Sequence, residues 1–400
     1  MSSQIKQTAA MTRANLGSLP RRAWIATSMV LSVALVVAVL IGFLSMAKGF
    51  EKTLASAGSD SVAIILGGGT NQEIGSDIPP DLVRNLRANR GEIGIARDGA
   101  GALAVSREIL VPVDVKRLSD GADQTLAMRG MDRAGTALRE GVALSQGRLF
   151  APGSREIVVG ARIADEFAGF GVGDKVRLGS VDWTVVGQFS AGGSAFESEI
   201  WSDFEAVQSA FDRQGQVQTL RARLDGPSGL PVLRATLASA VKTPVATLSE
   251  AEFYASQSAR TASLIRLFGW PIAMLMAIGA TAGALNTMMS SVSDRTVEIA
   301  TLRVLGFGRL AAFAATWIEA VLLSLAGAAL GAVLSWLVFN GWQAGTLGSD
   351  NTRIAFQLTV TGDLMLQAGL LGLAIGLVGG GLPAFVATRL PLTAALAGRG

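Results

Sequence analysis

Four stretches of this 400-residue chain are almost free of charge. Residues 23–47, 267–289 and 364–388 hold no Asp, Glu, Lys or Arg, and residues 310–339 hold only Glu319. A helix crosses a hydrocarbon core of about 30 Å with about 20 apolar residues, satisfying its own backbone on the way. The pattern therefore predicts four transmembrane helices, at 23–48, 264–289, 310–339 and 364–388. The first has basic residues ahead of it and Ser45-Met46-Ala47 near its end, as a signal peptide would. Its 25 uncharged residues exceed the ~7–15 of a secretory h-region, so a retained anchor is expected. Composition agrees: half the chain is apolar and 16% is charged, against about 25% in soluble proteins.

The net charge of +3 hides an asymmetry. Residues 49–263 carry 22 basic and 26 acidic side chains, so the rest of the chain is +7. Residues 1–22 hold Lys6, Arg13, Arg21 and Arg22 without an acid, the 290–309 loop is +1, and the 389–400 tail holds Arg389 and Arg399. Basic loops stay inside. The N-terminus, the 290–309 loop and the tail are thus expected in the cytoplasm. The acidic 49–263 segment and the 340–363 loop, with Asp350, Arg353 and Asp363, are expected outside.

The 49–263 segment reads as an α+β domain. β-type runs lie at Val62–Leu66, Ile109–Val115, Glu156–Val159, Lys175–Leu178, Trp183–Val186 and Leu220–Leu224, with a hairpin turn at Gly179-Ser180. Helical runs lie at Asp81–Asn89, Ala161–Ala168, Asp203–Phe211 and Leu230–Ala240. Ser249 and Glu252 form a capping box, opening a helix that continues to Met289 across Pro271. The first span continues through Lys48–Ala57, with Gly58 as its expected C-cap. Both helices are either stiff stalks or simply long anchors.

Chemistry is sparse. The chain has no Cys and no His, which excludes disulfides, thiolates, imidazole triads and His-ligated metals. Gly67–Thr70 and Gly171–Lys175 are glycine-rich but lack the Gly-Lys-Ser/Thr of a P-loop, and are expected as turns. The acid pairs Asp165-Glu166 and Glu197/Glu199 are expected on solvated faces. One Tyr and no basic–aromatic interleaving argue against nucleic acid. No enzyme is expected.

Glycines recur at every fourth position in three spans: Gly279/Gly283, Gly327/Gly331, and Gly372/Gly376/Gly380. Such spacing lets helix backbones approach closely. Spans two to four are therefore expected to bundle, with span one peripheral. Intramembrane Glu319 has three readings: an interfacial carboxylate reached by water, a polar contact to the neighbouring loop helix, or a proton or substrate group.

The loop from Ser293 to Gly306 reads as a helix with Arg295, Ile299, Leu302 and Gly306 on one stripe and an Arg295–Glu298 pair. Its Arg295-x-x-Glu298-Ile299 and Leu302-Arg303-x-Leu305-Gly306 runs resemble the signature of the MacB/FtsX-like ABC transporter permeases. The resemblance continues through Trp317–Ser324, Gly381–Ala384 and Ala387–Leu392, and through Gly147–Phe150, Arg155–Gly160 and Val172–Leu178, which resemble a MacB-type periplasmic core.

The resemblance implies a four-span permease with a large α+β extracytoplasmic domain on a helical stalk, in the bacterial inner membrane. It implies a partner cytoplasmic ABC ATPase that binds ATP and Mg, this chain binding no cofactor itself. MacB itself carries a fused ATPase, whereas 22 residues precede span one here, so the ATPase is expected on another chain. A second permease subunit, in a homodimer or heterodimer, is implied too, and a periplasmic adaptor and outer-membrane channel remain open. Arg295, Glu298, Ile299, Leu302, Arg303 and Gly306 would form the coupling helix docking on the ATPase. The implied mechanism is mechanotransmission, for export or extraction of an unidentified substrate. An FtsX-like role, activating a cell-wall hydrolase, is the alternative. A membrane-anchored receptor or scaffold is disfavoured by the loop signature.

Overall fold

The computed structural model describes residues 2–89, 91–240, 244–348 and 350–389. Its helices are α1 (Ser2–Ser18), α2 (Ala23–Ala55), α3 (Pro80–Ala88), α4 (Ala161–Glu166), α5 (Phe204–Ala210), α6 (Gly229–Ala240), α7 (Glu250–Asp294), α8 (Thr296–Val304), α9 (Arg309–Phe339) and α10 (Gly362–Thr388). Its strands are β1 (Val62–Gly67), β2 (Val105–Lys116), β3 (Asp123–Met131), β4 (Ala143–Gly147), β5 (Glu156–Gly160), β6 (Lys175–Leu178), β7 (Val181–Ser190), β8 (Glu199–Asp203), β9 (Thr219–Arg223), β10 (Val245–Ser249), β11 (Gln343–Leu347) and β12 (Arg353–Gln357). The chain divides into two compact units: residues 1–48, 263–342 and 358–400, and residues 49–262 with 343–357. The divisions at Lys48 and Ala262 fall inside α2 and α7.

The first unit is helical. α2, α7, α9 and α10 are long and apolar enough to cross a membrane. α2 is not peripheral: Val33, Val37, Leu40 and Ile41 are fully buried. Half of the most apolar window of α2 is buried, against 22% for α7. A Cβ on Gly327 would lie 2.6 Å from the Val30 carbonyl, and one on Gly331 2.5 Å from that of Ala34. Gly372 meets Ala328 and Val33, Gly376 meets Ser324, and Gly380 meets Ala320. The glycine stripes of α9 and α10 thus pack as expected, but α9 gives its glycines to α2. A glycine groove needs small residues on one helix only, and the β-branched ridge Val30, Val33, Val37 fills it from the other. Gly279 and Gly283 differ, because no other part of the described residues lies within 4 Å of either Cβ position. The α7 pair is therefore no packing site among the described residues. Pro271 lies inside α7, which remains one helix from Glu250 to Asp294.

The second unit is one large sheet with helices against it. The strand order is β10-β1-β9-β2-β3-β8-β5-β7-β4, and β6 pairs with β7. β3–β8 and β5–β7 are parallel, and the other neighbours are antiparallel. Alternation positions the core: Ile109, Val111, Val113 and Val115 of β2 join Leu126 and Met128 of β3 and Leu220 and Ala222 of β9 on one face. α3, α5 and α6 add Leu82, Leu86, Val207, Leu233 and Leu237 to it. The hairpin at Gly179-Ser180 forms, with Val176 opposite Trp183 and Gly179 at φ +64°. Gly69 and Gly173 take left-handed turn conformations, as expected of both glycine-rich segments.

Ser249 and Glu252 form both bonds of the capping box, at 3.1 and 3.2 Å. Gly58 is not the expected left-handed cap. It is small because a Cβ there would lie 2.7 Å from Ala251 Cα. The 340–363 segment is not a plain loop: β11 and β12 pair as a hairpin that belongs to the sheet-containing unit. Ala355 N donates to Ser198 Oγ at 3.0 Å, and Arg353 pairs with Glu166 at 2.6 Å.

Candidate coupling site

α8 connects the ends of two apolar helices, and its inner side is locked. Arg295 precedes its first turn and is buried. Its guanidinium donates to Glu319 Oε2 at 3.0 Å and to Asn15 Oδ1, and only weakly to Glu298, at 3.4 Å. Arg22 lies 3.8 Å from the other oxygen of Glu319 and donates to Ser18 Oγ at 2.8 Å and to Ser291. Glu319 therefore takes the second of its three readings. It is 1% exposed, closed off from water, and holds the loop helix through Arg295. A buried ion pair of this kind is costly to break and fixes one geometry.

Apolar packing repeats the lock. Ile299 is buried with Met11, Val292, Ala311, Ala312, Ala315 and Ala387, and Leu302 and Phe307 pack on that cluster. Arg303 Nη1 donates to the Thr388 carbonyl at 3.0 Å, and Gly308 N to Gln7 Oε1 at 3.1 Å. Of the six residues expected to form the coupling surface, Arg295, Ile299 and Leu302 face inward and Arg303 is half-buried. Gly306 ends the helix at φ +96°. Glu298 stands outward with its side chain 64% exposed, touched by Arg295 at 3.4 Å.

The outward stripe is Val297, Thr301, Val304 and Leu305, the last two 62% and 72% exposed. These positions follow an i, i+4, i+7, i+8 pattern that the helical period could have disclosed. The α1 contribution, Asn15 and Gln7, carried no such signal, because residues 1–22 have no apolar stripe long enough to mark a helix. Leu390, Pro391, Leu392 and Arg399 of the C-terminal segment lie outside the described residues.

The sheet domain holds a second polar constellation, on the face of the sheet opposite its apolar core. Arg129 of β3 meets Glu73 at 2.8 Å through both Nη atoms, Glu199 at 2.8 and 2.9 Å, and Glu108 at 3.0 Å. Arg139 meets Glu108 at 2.8 and 3.0 Å. Arg221 meets Glu250 and lies 3.3 Å from Glu108 and 3.4 Å from the Tyr254 hydroxyl. Glu197 and Glu199 are therefore buried and not solvated. Glu197 accepts from the backbone N–H of Ala191 and Gly193 at 2.8 and 3.0 Å and pairs with Arg162 at 3.3 Å. The alternation that looked like a wet face is covered by the first turns of α7, the 68–78 segment and the β11–β12 hairpin.

Asp350, at the tip of that hairpin, accepts the Ile74 N–H at 3.2 Å. It borders a cavity of about 30 Å³ with Glu73, Arg129, Glu199, Tyr254 and Gln257, room for about one water. Burial, then the charge of Glu73, push the Asp350 carboxyl up to about 7. Burial acts on Glu108 the same way, but Arg139, Arg221 and Arg129 outweigh it and hold Glu108 well below the carboxylate range. Four Glu already neutralise three Arg here, so Asp350 is the acid with no cation left to claim. Among the described residues, no group of three or more potential ligands could hold a metal ion.

Comparison with known proteins covers most of the chain. Residues 27–240 match the MacB-like periplasmic core domain, and residues 270–392 the FtsX-like permease C-terminal region. The chain is 28% identical, over 237 residues, to the macrolide export ATP-binding/permease protein MacB of Bordetella avium (strain 197N). That match covers 56% of this chain and only 35% of the relative's length. Among solved structures, the periplasmic region of MacB from Actinobacillus actinomycetemcomitans is similar at 13% identity and TM-score 0.35, covering 50% of this chain and 94% of that one. The extracellular domain of the noncanonic ABC-type transporter YknZ from Gram-positive bacteria is similar at 12% identity and TM-score 0.34, covering 47% of this chain and all of that one.

Proposed function

This chain belongs to the MacB/FtsX-like ABC transporter permease family, and on that premise we propose that it is the subunit through which a separate ATPase moves an extracytoplasmic domain. The observation that carries this reading is α8. Its inner side is clamped by Arg295–Glu319 and an apolar cluster, while Val297, Glu298, Thr301, Val304 and Leu305 stand outward. A rigid helix with an uncovered, partly apolar face suits a protein partner. ATP and Mg would be bound by that partner, and this chain would supply no catalytic group.

The charge distribution supports the orientation. With both termini and α8 in the cytoplasm, the basic excess of residues 1–22, 290–309 and 389–400 lies inside and the −4 domain outside the inner membrane. Gly279 and Gly283 lie bare on α7, the least buried of the four long helices, which suits close packing against a second permease copy. Glu319, the one acid of the four apolar stretches, is engaged by Arg295. This supports mechanical transmission over passage of substrate through the membrane unit.

Val304→Asp with Leu305→Asp tests the reading. The double variant should insert normally and lose co-purification of the ATPase by at least about tenfold, since exposed apolar anchors dominate such interfaces. Undiminished co-purification would remove α8 from the coupling role.

A further inference from the structure

A second feature of the helical unit is unrelated to the α8 face. α1 lies along the first turns of α9, and between them runs a groove of about 770 Å³. Its walls include Ile5, Ala9 and Leu16 from α1 and Leu310, Phe313 and Ile318 from α9. That volume is within the ~300–1,000 Å³ of ordinary ligand sites.

The setting identifies the occupant. α9 is one of the four membrane-crossing helices, and the groove is cut into its first turns, so one wall belongs to lipid-facing surface. Trp24, 87% exposed at the head of α2 and just after Arg21-Arg22, marks the membrane–water boundary beside α1. Arg13 lines the groove, and Lys6, seven residues earlier, shares its stripe. Arg309 stands beside Leu310. Arg13 is the one charged residue of the lining, and Lys6 and Arg309 flank it without an acid beside them, so the rim favours an anion.

One polar atom also lacks its partner. Thr8 returns its hydroxyl to the Gln4 carbonyl at 3.0 Å, the ordinary helical arrangement. Thr12, one turn later and next to Arg13, has a buried hydroxyl with no hydrogen-bond partner among the described residues. A buried hydroxyl is rarely left so. An ester or phosphate oxygen beside Arg13 would complete it.

We propose that the α1–α9 groove is a binding site for one anionic phospholipid, its acyl chain between the two helices and its headgroup on Arg13 and Thr12. The lipid would complete the platform on which α1 holds α8 through Asn15. A second protein copy or the ATPase is disfavoured as occupant, because the wall contributed by α9 belongs to a helix long and apolar enough to cross the membrane.

The test uses the full chain, purified in mild detergent and analysed by native mass spectrometry. Wild type should retain one phosphatidylglycerol or cardiolipin. Arg13→Glu, at an exposed position that leaves folding intact, should weaken that retention by roughly tenfold. Ala9→Trp should fill the groove and abolish it. A benzophenone side chain replacing exposed Ile5 should crosslink to a phospholipid. Equal retention of phosphatidylethanolamine and phosphatidylglycerol, no change in Arg13→Glu, or crosslinking of position 5 to another protein chain would each overturn the proposal.

Discussion

Asp350→Asn should make the β11–β12 hairpin more stable at pH 8 and indifferent to pH between 5 and 8. The carboxyl moves from 3.8 to about 7 in the folded domain. The folded state thus binds a proton more tightly than the unfolded one. Between about pH 4 and pH 7 the folded chain holds a proton that the unfolded chain has lost, so wild-type stability falls as pH rises through that window and levels off above 7. At ~1.4 kcal/mol per pKa unit the full effect is roughly 4 kcal/mol, and water reaching the cavity lowers it toward about 2. Asn keeps the acceptor for Ile74 N–H and carries no charge beside Glu73 and Glu199, so the penalty disappears. The chain has no His, and the arginines of the cluster hold both Glu73 and Glu108 below their ordinary values, so neither of these two carboxylates titrates between pH 5 and 8. Hydrogen exchange resolved by mass spectrometry reads the opening free energy directly at Ile74 N–H and at Gly348 N–H, which bonds Thr352 O at 2.8 Å. If Asp350→Asn retains the wild-type slope, or is less protected than wild type at pH 8, the charge balance assigned to the cluster is wrong.

Two further substitutions separate kinds of helix contact. Gly376→Leu should lower the melting temperature of the detergent-solubilised chain by several degrees, because its side chain would strike Ser324, whereas Gly279→Leu should leave it unchanged and weaken crosslinking between copies. Equal effects of the two on melting would contradict the packing described. Glu319→Gln should destabilise the helical unit by about 3–5 kcal/mol by removing the buried counter-charge of Arg295 and Arg22, and Arg295→Met in the same chain should recover much of the loss. A denaturant series on the single and double variants measures both.

The helical architecture was legible because membrane helices announce themselves by length and lack of charge, and the four uncharged runs correspond to α2, α7, α9 and α10. Strand runs with apolar alternation, such as Lys175–Leu178 and Glu156–Val159, were legible for the same reason. β3, β8 and β10 were not, because their second face carries Arg129, Glu199 or Ser249. Those residues read as solvent-facing until another layer covers them. In the coupling site, the loop position was visible and the facing was not. Arg295 and Glu298 are three apart and suggest a local pair, but a buried carboxylate 24 positions away competes better for the guanidinium.

By itself, then, the sequence determined the transmembrane count, the charge asymmetry, the capping box at Ser249 and the absence of imidazole and thiol chemistry, all of which depend on local composition. Tertiary structure alone decided that α2 packs inside its bundle and not at the periphery, that Glu319 secures α8, and that Asp350 joins a buried cluster with no spare cation. Each of those outcomes joins residues tens to hundreds of positions apart. A local pattern records which side chains prefer burial or charge, while the partner that satisfies each one is chosen only when distant segments compete for the same space.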